Sequence, residues 1–527
     1  MPSKNAPISK AAARGGVIAP DIGASASLLE SIPIILPETS ERAMPGIKEQ
    51  LKQSSDHEAD ICIIGSGPAG YVAAIRAAQL GARVVVIEKN AVGGACLNVG
   101  CIPTKVLLSS VAALDGCRRA AEFGVDVTGC AANIPVMMAR KDKIVRQLTS
   151  GVESLLRKNK VRLVRGHGRI TGIHEVTVET DHGAQVVTAD KILIATGSMP
   201  AVLNVPGLDP DPELDSGDSG GGNVWTSTEA LTFDHVPKKL LVVGAGAIGL
   251  EAGFTFARLG SEVTVVEIMG QIIPAADAEI AGDLMKALEA AGMKFLLNST
   301  VVRADDTRHG KRVTINTPDG EQKIECDKVL VAVGRRTVID GIGLDTVGVR
   351  HDGRKIQVNE SMQTNIPNIY AAGDVIGEPM LAHVGWTEGI VAVEHAMGLA
   401  SRMSYKAYPA CIYTTPECAS VGLTEEQARE RCGDIRVGKF GFGHNGKAMA
   451  IGETDGYVKI ITEPGFGEVL GVHILGPHAT DLIAEAVLAV ANELTVDELM
   501  SAIHAHPTLS EVVQEAAYDT RARSIHK

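Results

Sequence analysis

Residues 61–70 read Ile61-Cys62-Ile63-Ile64-Gly65-Ser66-Gly67-Pro68-Ala69-Gly70 and run into the Ala-rich stretch 71–80. A short apolar run, a glycine-punctuated turn and a helical pattern are the strand–turn–helix opening of a dinucleotide-binding fold. Each glycine has its own task. Gly65 permits the tight turn, Gly67 lets backbone N–H groups approach a pyrophosphate, and Gly70 lets the helix pack closely on the strand. Those N–H groups sit at a helix N-terminus, where the dipole favours an anion. Residues 83–87 read as the next strand, and Glu88 at its end can accept hydrogen bonds from ribose hydroxyls.

One such motif is a weak signal, but the chain holds two. Apolar residues 240–243 lead into Gly244-Ala245-Gly246-Ala247-Ile248-Gly249, and strand 263–266 ends at Glu267. The first glycine and the acid stand 23 positions apart in both copies, 65 to 88 and 244 to 267. Equal spacing argues for two nucleotide-binding domains and an α/β fold with two Rossmann-like units. Each copy has a later apolar strand ending in glycine: residues 191–197, closing on Ala195-Thr196-Gly197, and residues 328–334, closing on Gly334.

Just after the first copy lies Gly93-Gly94-Ala95-Cys96-Leu97-Asn98-Val99-Gly100-Cys101-Ile102-Pro103-Thr104-Lys105. Two thiols five positions apart on a Gly-containing segment can cycle between dithiol and disulfide, although cysteines are more often buried and inert. Beside a flavin such a pair is a two-electron relay. The first copy, next to the thiols, is therefore assigned FAD and the second the diffusible nicotinamide. Glu267 favours NAD over NADP, because a carboxylate repels a 2′-phosphate and Ile268-Met269-Gly270-Gln271 offer no Arg to neutralise one. Lys105, one helical turn past Cys101 on the same face, is either a surface lysine or a cation beside the flavin.

Thiol oxidation also needs a proton acceptor, since the thiolate is the species that attacks. The C-terminal run His504-Ala505-His506-Pro507-Thr508-Leu509-Ser510-Glu511 offers His506, with Glu511 behind it to orient the ring. Thr508-x-x-Glu511 is equally a capping box opening a helix over 512–518. His504 reads as structural.

Composition sets the bounds. At 527 residues several domains are required, and 45% hydrophobic residues with 57 glycines fit an α/β protein rich in tight turns. A net charge of −13 argues against nucleic acid and against an acidic membrane surface. Nine unpatterned cysteines do not make a disulfide framework, so a reducing compartment is expected. Asp21, Glu30, Glu38 and Glu41 speak against a presequence; no apolar run of spanning length is read, and the cytoplasm is the expected location. No metal site is expected.

The thiol stretch resembles the active-site segment of the flavin disulfide reductases, and residues 102–105 are most similar to the dihydrolipoamide dehydrogenase branch. Ala95 departs from the family's Thr, which removes a hydroxyl near the expected flavin phosphates. The resemblance covers about residues 59–520. It implies a pairing of Lys105 with Glu251 close to the flavin, and flavin contacts from Gly168, Ser198, Asp374 (to a ribityl hydroxyl) and Met380-Leu381-Ala382-His383. Val301 joins the nucleotide-binding set on the same ground. It implies a homodimer in which His506 and Glu511 serve the second subunit. The implied activity is oxidation of dihydrolipoyl groups on carrier domains of a 2-oxoacid dehydrogenase complex, with its acyltransferase core, or of the glycine cleavage carrier protein. Electrons pass through Cys96 and Cys101 to FAD and then NAD. Alternatives are a related disulfide or metal-ion reductase, or a non-catalytic FAD-bound docking subunit. The division that follows is an extension 1–58, FAD-binding parts 59–205 and 336–404, an NAD-binding domain 206–335 and an interface domain 405–527. An acidic Gly/Ser insertion is read at 209–222, and residues 161–187 are read as a small covering sheet.

Overall fold

In the computed structural model, which describes residues 56–208 and 222–527, each glycine motif opens a parallel sheet. Most of the extension and of the acidic insertion therefore lie outside the described residues. Strand Ala59–Ile64 is buried along its whole length, between Val84–Glu88 and the second half of Gly183–Ile194. Its unbroken apolar run is what a strand covered on both faces requires. Helix Pro68–Gln79 covers one face through Ala69, Ala73, Ala74 and Ala77, small residues that let it lie close. Strand Ile369–Ala371 adds in parallel beyond Gly183–Ile194.

The small covering sheet is assembled differently from the sequence reading. Arg162–Arg165 joins the parallel sheet beside Val84–Glu88. The antiparallel part comprises His167–Gly172, Glu175–Thr180 and the first half of the 12-residue strand Gly183–Ile194. That one strand thus belongs to both layers.

The second parallel sheet runs Met293–Leu296, Glu262–Val266, Lys239–Val243, Lys328–Val331, Val224–Trp225. A three-stranded antiparallel meander, Thr300–Thr307, Gly310–Thr317 and Gly320–Cys326, packs against it. Short strands Ser198–Pro200 and Arg335–Thr337 pair antiparallel, tying the segments that leave the two parallel sheets.

The C-terminal region is a five-stranded antiparallel sheet backed by helices Ala479–Ala491 and Glu511–Thr520. Lys459, only 1% exposed, ties this sheet to the second parallel unit through Asp277 (2.9 Å) and Glu279 (3.1 Å), and also meets Glu425 of its own region (2.8 Å). Three carboxylates around one desolvated ammonium satisfy a charge that would be very unfavourable alone.

The stretch Gly94–Phe123 is long and apolar enough to cross a membrane by length and composition, which the sequence reading did not see. It is broken at Gly100 (φ −146°, ψ −114°) into helices Gly94–Val99 and Cys101–Arg119. Leu107, Leu108 and Val111 pack in the core with Phe254 and Leu250, so its apolar face has an internal partner.

Candidate active site

The two glycine loops are built alike, atom for atom. Gly65 N–H donates to Ile87 O and Gly244 N–H to Val266 O, both at 2.8 Å. A Cβ on Gly65 (φ +102°) would stand 2.3 Å from Ala195 O, and one on Gly244 (φ +103°) 2.4 Å from Ala332 O. Gly70 and Gly249 press on the first glycine's carbonyl, where a Cβ would lie 2.0 and 2.1 Å away. By contrast, a Cβ at Gly67 would meet only Gly94 Cα at 3.9 Å, and one at Gly246 nothing within 4 Å. The middle glycines thus face the open cradle that a pyrophosphate needs.

Each acid braces its own loop. Glu88 accepts from Ser66 N–H (2.8 Å), Ser66 Oγ (2.7 Å) and Asn90 N–H (2.8 Å). Glu267 accepts from Ala245 N–H (2.7 Å) and Met269 N–H (2.9 Å). A carboxylate has about four acceptor positions, so capacity for ribose hydroxyls remains. Gly197 and Gly334, both at positive φ, turn the chain at the equivalent strand ends with nothing within 4 Å of a built Cβ. Gly168 packs on strand ends, where a Cβ would meet Ile87 Cγ2 at 3.1 Å and Ile64 Cγ2 at 3.3 Å. The Val301 side chain is buried with Val243, Val266 and Val331.

Gly93 and Gly94 (φ +93° and +59°) carry the chain from the first cradle into the thiol segment. Cys96 lies in the short helix and Cys101 begins the long one, so the Gly100 break turns the two thiols together. Both are free thiols, and the protonation of each depends on the other. Cys101 is thereby held down to about 7 from the ordinary 9.0, chiefly by the neighbouring Cys96 thiol; desolvation opposes the shift and the Lys105 ammonium reinforces it. Cys96 is pushed far up by the neighbouring Cys101 and by desolvation. Position at a helix N-terminus also favours the Cys101 thiolate.

Lys105 Nζ lies 2.7 Å from Glu251 Oε2 and 4.3 Å from the centre of the Tyr413 ring, and Tyr413 N–H donates to Glu251 Oε1 at 3.1 Å. The paired ion is therefore fixed one turn from Cys101. Asp374 accepts from Ser198 Oγ, and Arg335 Nε donates to the same hydroxyl at 2.6 Å. Sequence reasoning missed Arg335; its one signal was a basic residue directly after Gly334. Met380, Leu381 and Ala382 form the half-buried entry to helix Ala382–Ala396, and His383 Nε2 contacts Pro409 O at 2.9 Å.

His506 Nδ1 and Glu511 Oε1 are 2.8 Å apart, while Glu511 Oε2 accepts Thr508 N–H at 2.8 Å. The capping box read from the sequence is not formed, because the helix begins at Glu511 itself with Ser510 before it; the second oxygen instead holds the Thr508 turn, while the first holds the imidazole. The His506 side chain is 79% exposed, which leaves Nε2 open to an incoming thiol. His504 is instead buried against Glu485, 3.0 Å away.

Two duplicated nucleotide cradles with a thiol pair on the segment that leaves the first define a class of protein, and the chain belongs to it: the pyridine nucleotide-disulphide oxidoreductase family, whose main domain matches residues 59–389 and whose dimerisation domain matches 408–517. Within the family, relatives in plants and bacteria carry the name dihydrolipoyl dehydrogenase. The mitochondrial dihydrolipoyl dehydrogenase 1 of Arabidopsis thaliana is 44% identical over 479 residues, 90% of this chain and 92% of its own. The leghemoglobin reductase of Glycine max is 44% identical over 474 residues, 89% of this chain and 88% of its own. The crystal structure of LpdA from Mycobacterium tuberculosis superposes with a TM-score of 0.79 at 29% identity, covering 87% of this chain and 98% of that one.

Proposed function

We propose that this chain oxidises protein-bound dihydrolipoyl groups to the lipoyl disulfide, as the dihydrolipoyl dehydrogenases it resembles are named for doing. The observation that carries this is the Cys96–Cys101 pair facing itself at a helix N-terminus, with the Lys105–Glu251 ion pair one turn on. FAD fits the first cradle and NAD the second; when bound, they supply the two-electron acceptor beside Cys101 and the diffusible acceptor that carries the electrons away.

The chain's own residues do the rest. His506 takes the proton of an incoming thiol at Nε2, and Glu511 at Nδ1 holds the ring and stabilises the imidazolium. The substrate thiolate attacks Cys96 of the oxidised pair, and Cys101 leaves as thiolate, the state that its lowered pKa favours. The second substrate thiolate then attacks the substrate sulfur of the mixed disulfide, which releases Cys96 and closes the lipoyl ring. Glu251 keeps Lys105 aimed at the thiolate end of the relay.

The finer reading is also ours. The chain works as a homodimer in which His506 and Glu511 serve the thiols of a second copy, an arrangement favoured by the exposure of His506 and the dimerisation domain. Its partners are lipoyl carrier domains around an acyltransferase core, or the glycine cleavage carrier; its compartment is the cytoplasm. The boundaries 59–205, 206–335, 336–404 and 405–527 belong to the same reading, supported by which strands share a sheet.

Purified holoenzyme with dihydrolipoamide and NAD should form NADH, and Cys101→Ser should abolish it while the fold stays intact. Absence of NADH from the unaltered protein would overturn the activity. Mixing Cys101→Ser with His506→Gln, each inactive alone, should restore part of the activity on subunit exchange. No restoration would mean that both groups act within one copy.

A further inference from the structure

Among the described residues, one carboxylate oxygen of Asp374 is engaged by protein. Ser198 Oγ donates to its Oδ2, and Arg335 Nε stands 3.7 Å from the same oxygen while donating to Ser198 Oγ at 2.6 Å. Arg335 Nη2 donates to Ser198 O at 2.9 Å, so the guanidinium grips both ends of that residue. The three groups come from three separate segments: the ends of two paired strands, Ser198–Pro200 and Arg335–Thr337, and the turn after Ile369–Ala371. All three residues are partly buried, so the network is shielded from bulk water.

From this geometry we infer that Arg335 is a positioning residue for flavin binding, fixing Asp374 through Ser198 so that Asp374 Oδ1 faces the ribityl chain. This rests on the reading of Asp374 as a flavin contact. Without Arg335, the Ser198 hydroxyl loses its orienting donor and Asp374 its only nearby cation among the described ion pairs. The carboxylate is then free to rotate, and the ribityl hydroxyl must immobilise it on binding. A planar guanidinium holding two acceptors does this in a way that a lysine ammonium only partly matches. Because Arg335 directly follows Gly334, the same residue ties the exit of the NAD cradle to the flavin contact.

The test is FAD release from diluted holoenzyme, followed by the rise in free-flavin fluorescence, with NAD affinity measured on the same samples. Arg335→Met should weaken FAD retention roughly tenfold to a hundredfold, the range of a lost charge-assisted contact, and leave NAD affinity within about twofold. Arg335→Lys should recover part of the loss and is read in the same way if the Met variant fails to fold. Asp374→Asn should match or exceed the Met variant, and the double variant should be no worse than Asp374→Asn alone. Unchanged release from Arg335→Met, or losses that multiply in the double variant, would overturn the positioning role. Unchanged release from Asp374→Asn would overturn the flavin contact itself, and the role of Arg335 with it.

Discussion

The two dinucleotide cradles share their turns, their strand-end carbonyls and their bracing acids, yet they differ above the middle glycine. Over the first, the thiol segment closes in from one side: a Cβ on Gly67 would meet Gly94 Cα at 3.9 Å, and a Cβ on Gly94 would stand 2.7 Å from Gly67 Cα. Over the second, nothing lies within 4 Å of a Cβ on Gly246, and Ile268 and Met269 beside Glu267 are 66% and 51% exposed. One motif thus makes a roofed site and an open one. The difference suits a cofactor that stays, with its electrons relayed by the roof itself, and a cofactor that must come and go each turnover.

The largest effect expected from breaking this contrast is at the roof. Gly94→Ala puts a side chain at φ +59°, a conformation that costs about 1–2 kcal/mol for an L-residue, and drives it into Gly67. FAD retention should fall at least about tenfold and Tm by several degrees, read by flavin fluorescence and thermal melting. Gly246→Ala, at φ −79° in open space, should leave Tm unchanged and weaken only NAD. Equal effects of the two would erase the distinction.

Next comes Glu267→Ala, which removes both the brace and the charge opposing a 2′-phosphate. The ratio of kcat/KM for NAD over NADP should fall roughly tenfold or more. An unaltered ratio would assign the preference elsewhere.

A smaller effect concerns the thiol in the roof. Cys101 titrates near 7 rather than 9.0, so thiolate is fully formed above about 9 and is lost as pH falls through about 7. Alkylation of the reduced enzyme should follow that curve. Lys105→Gln, which removes the ammonium, should move the midpoint upward and slow alkylation at neutral pH; a midpoint that stays put would deny the lysine its influence. The smallest change expected is Ala95→Thr, which should tighten FAD by a few-fold through one added hydroxyl, measured by the same release assay.

Much of this was legible before any coordinates. The 23-residue spacing from glycine to acid marked both cradles. The pairing of Cys96 with Cys101 is local, since five residues and a glycine bring the thiols together. Illegible from local pattern were pairings across long separations, of which Lys105 with Glu251 came only through the family resemblance. Arg335 reaches Ser198 across 137 residues, and Ser198 reaches Asp374 across 176. Nor could residues 162–165 be sorted between two layers, because four residues pair equally well with either neighbour until the sheet exists.

By itself, then, the sequence determined the chemistry: which residues bend backwards, which carry a thiol, which an acid at a strand's end. These are properties of single side chains and short spacings. Only the tertiary structure decided that the thiol segment crosses one cradle and not the other, that a single carboxylate both holds a turn and steadies an imidazole, and that Arg335 stands behind Asp374. Those depend on the directions in which distant segments approach, which the packing of the cores sets and no local pattern records.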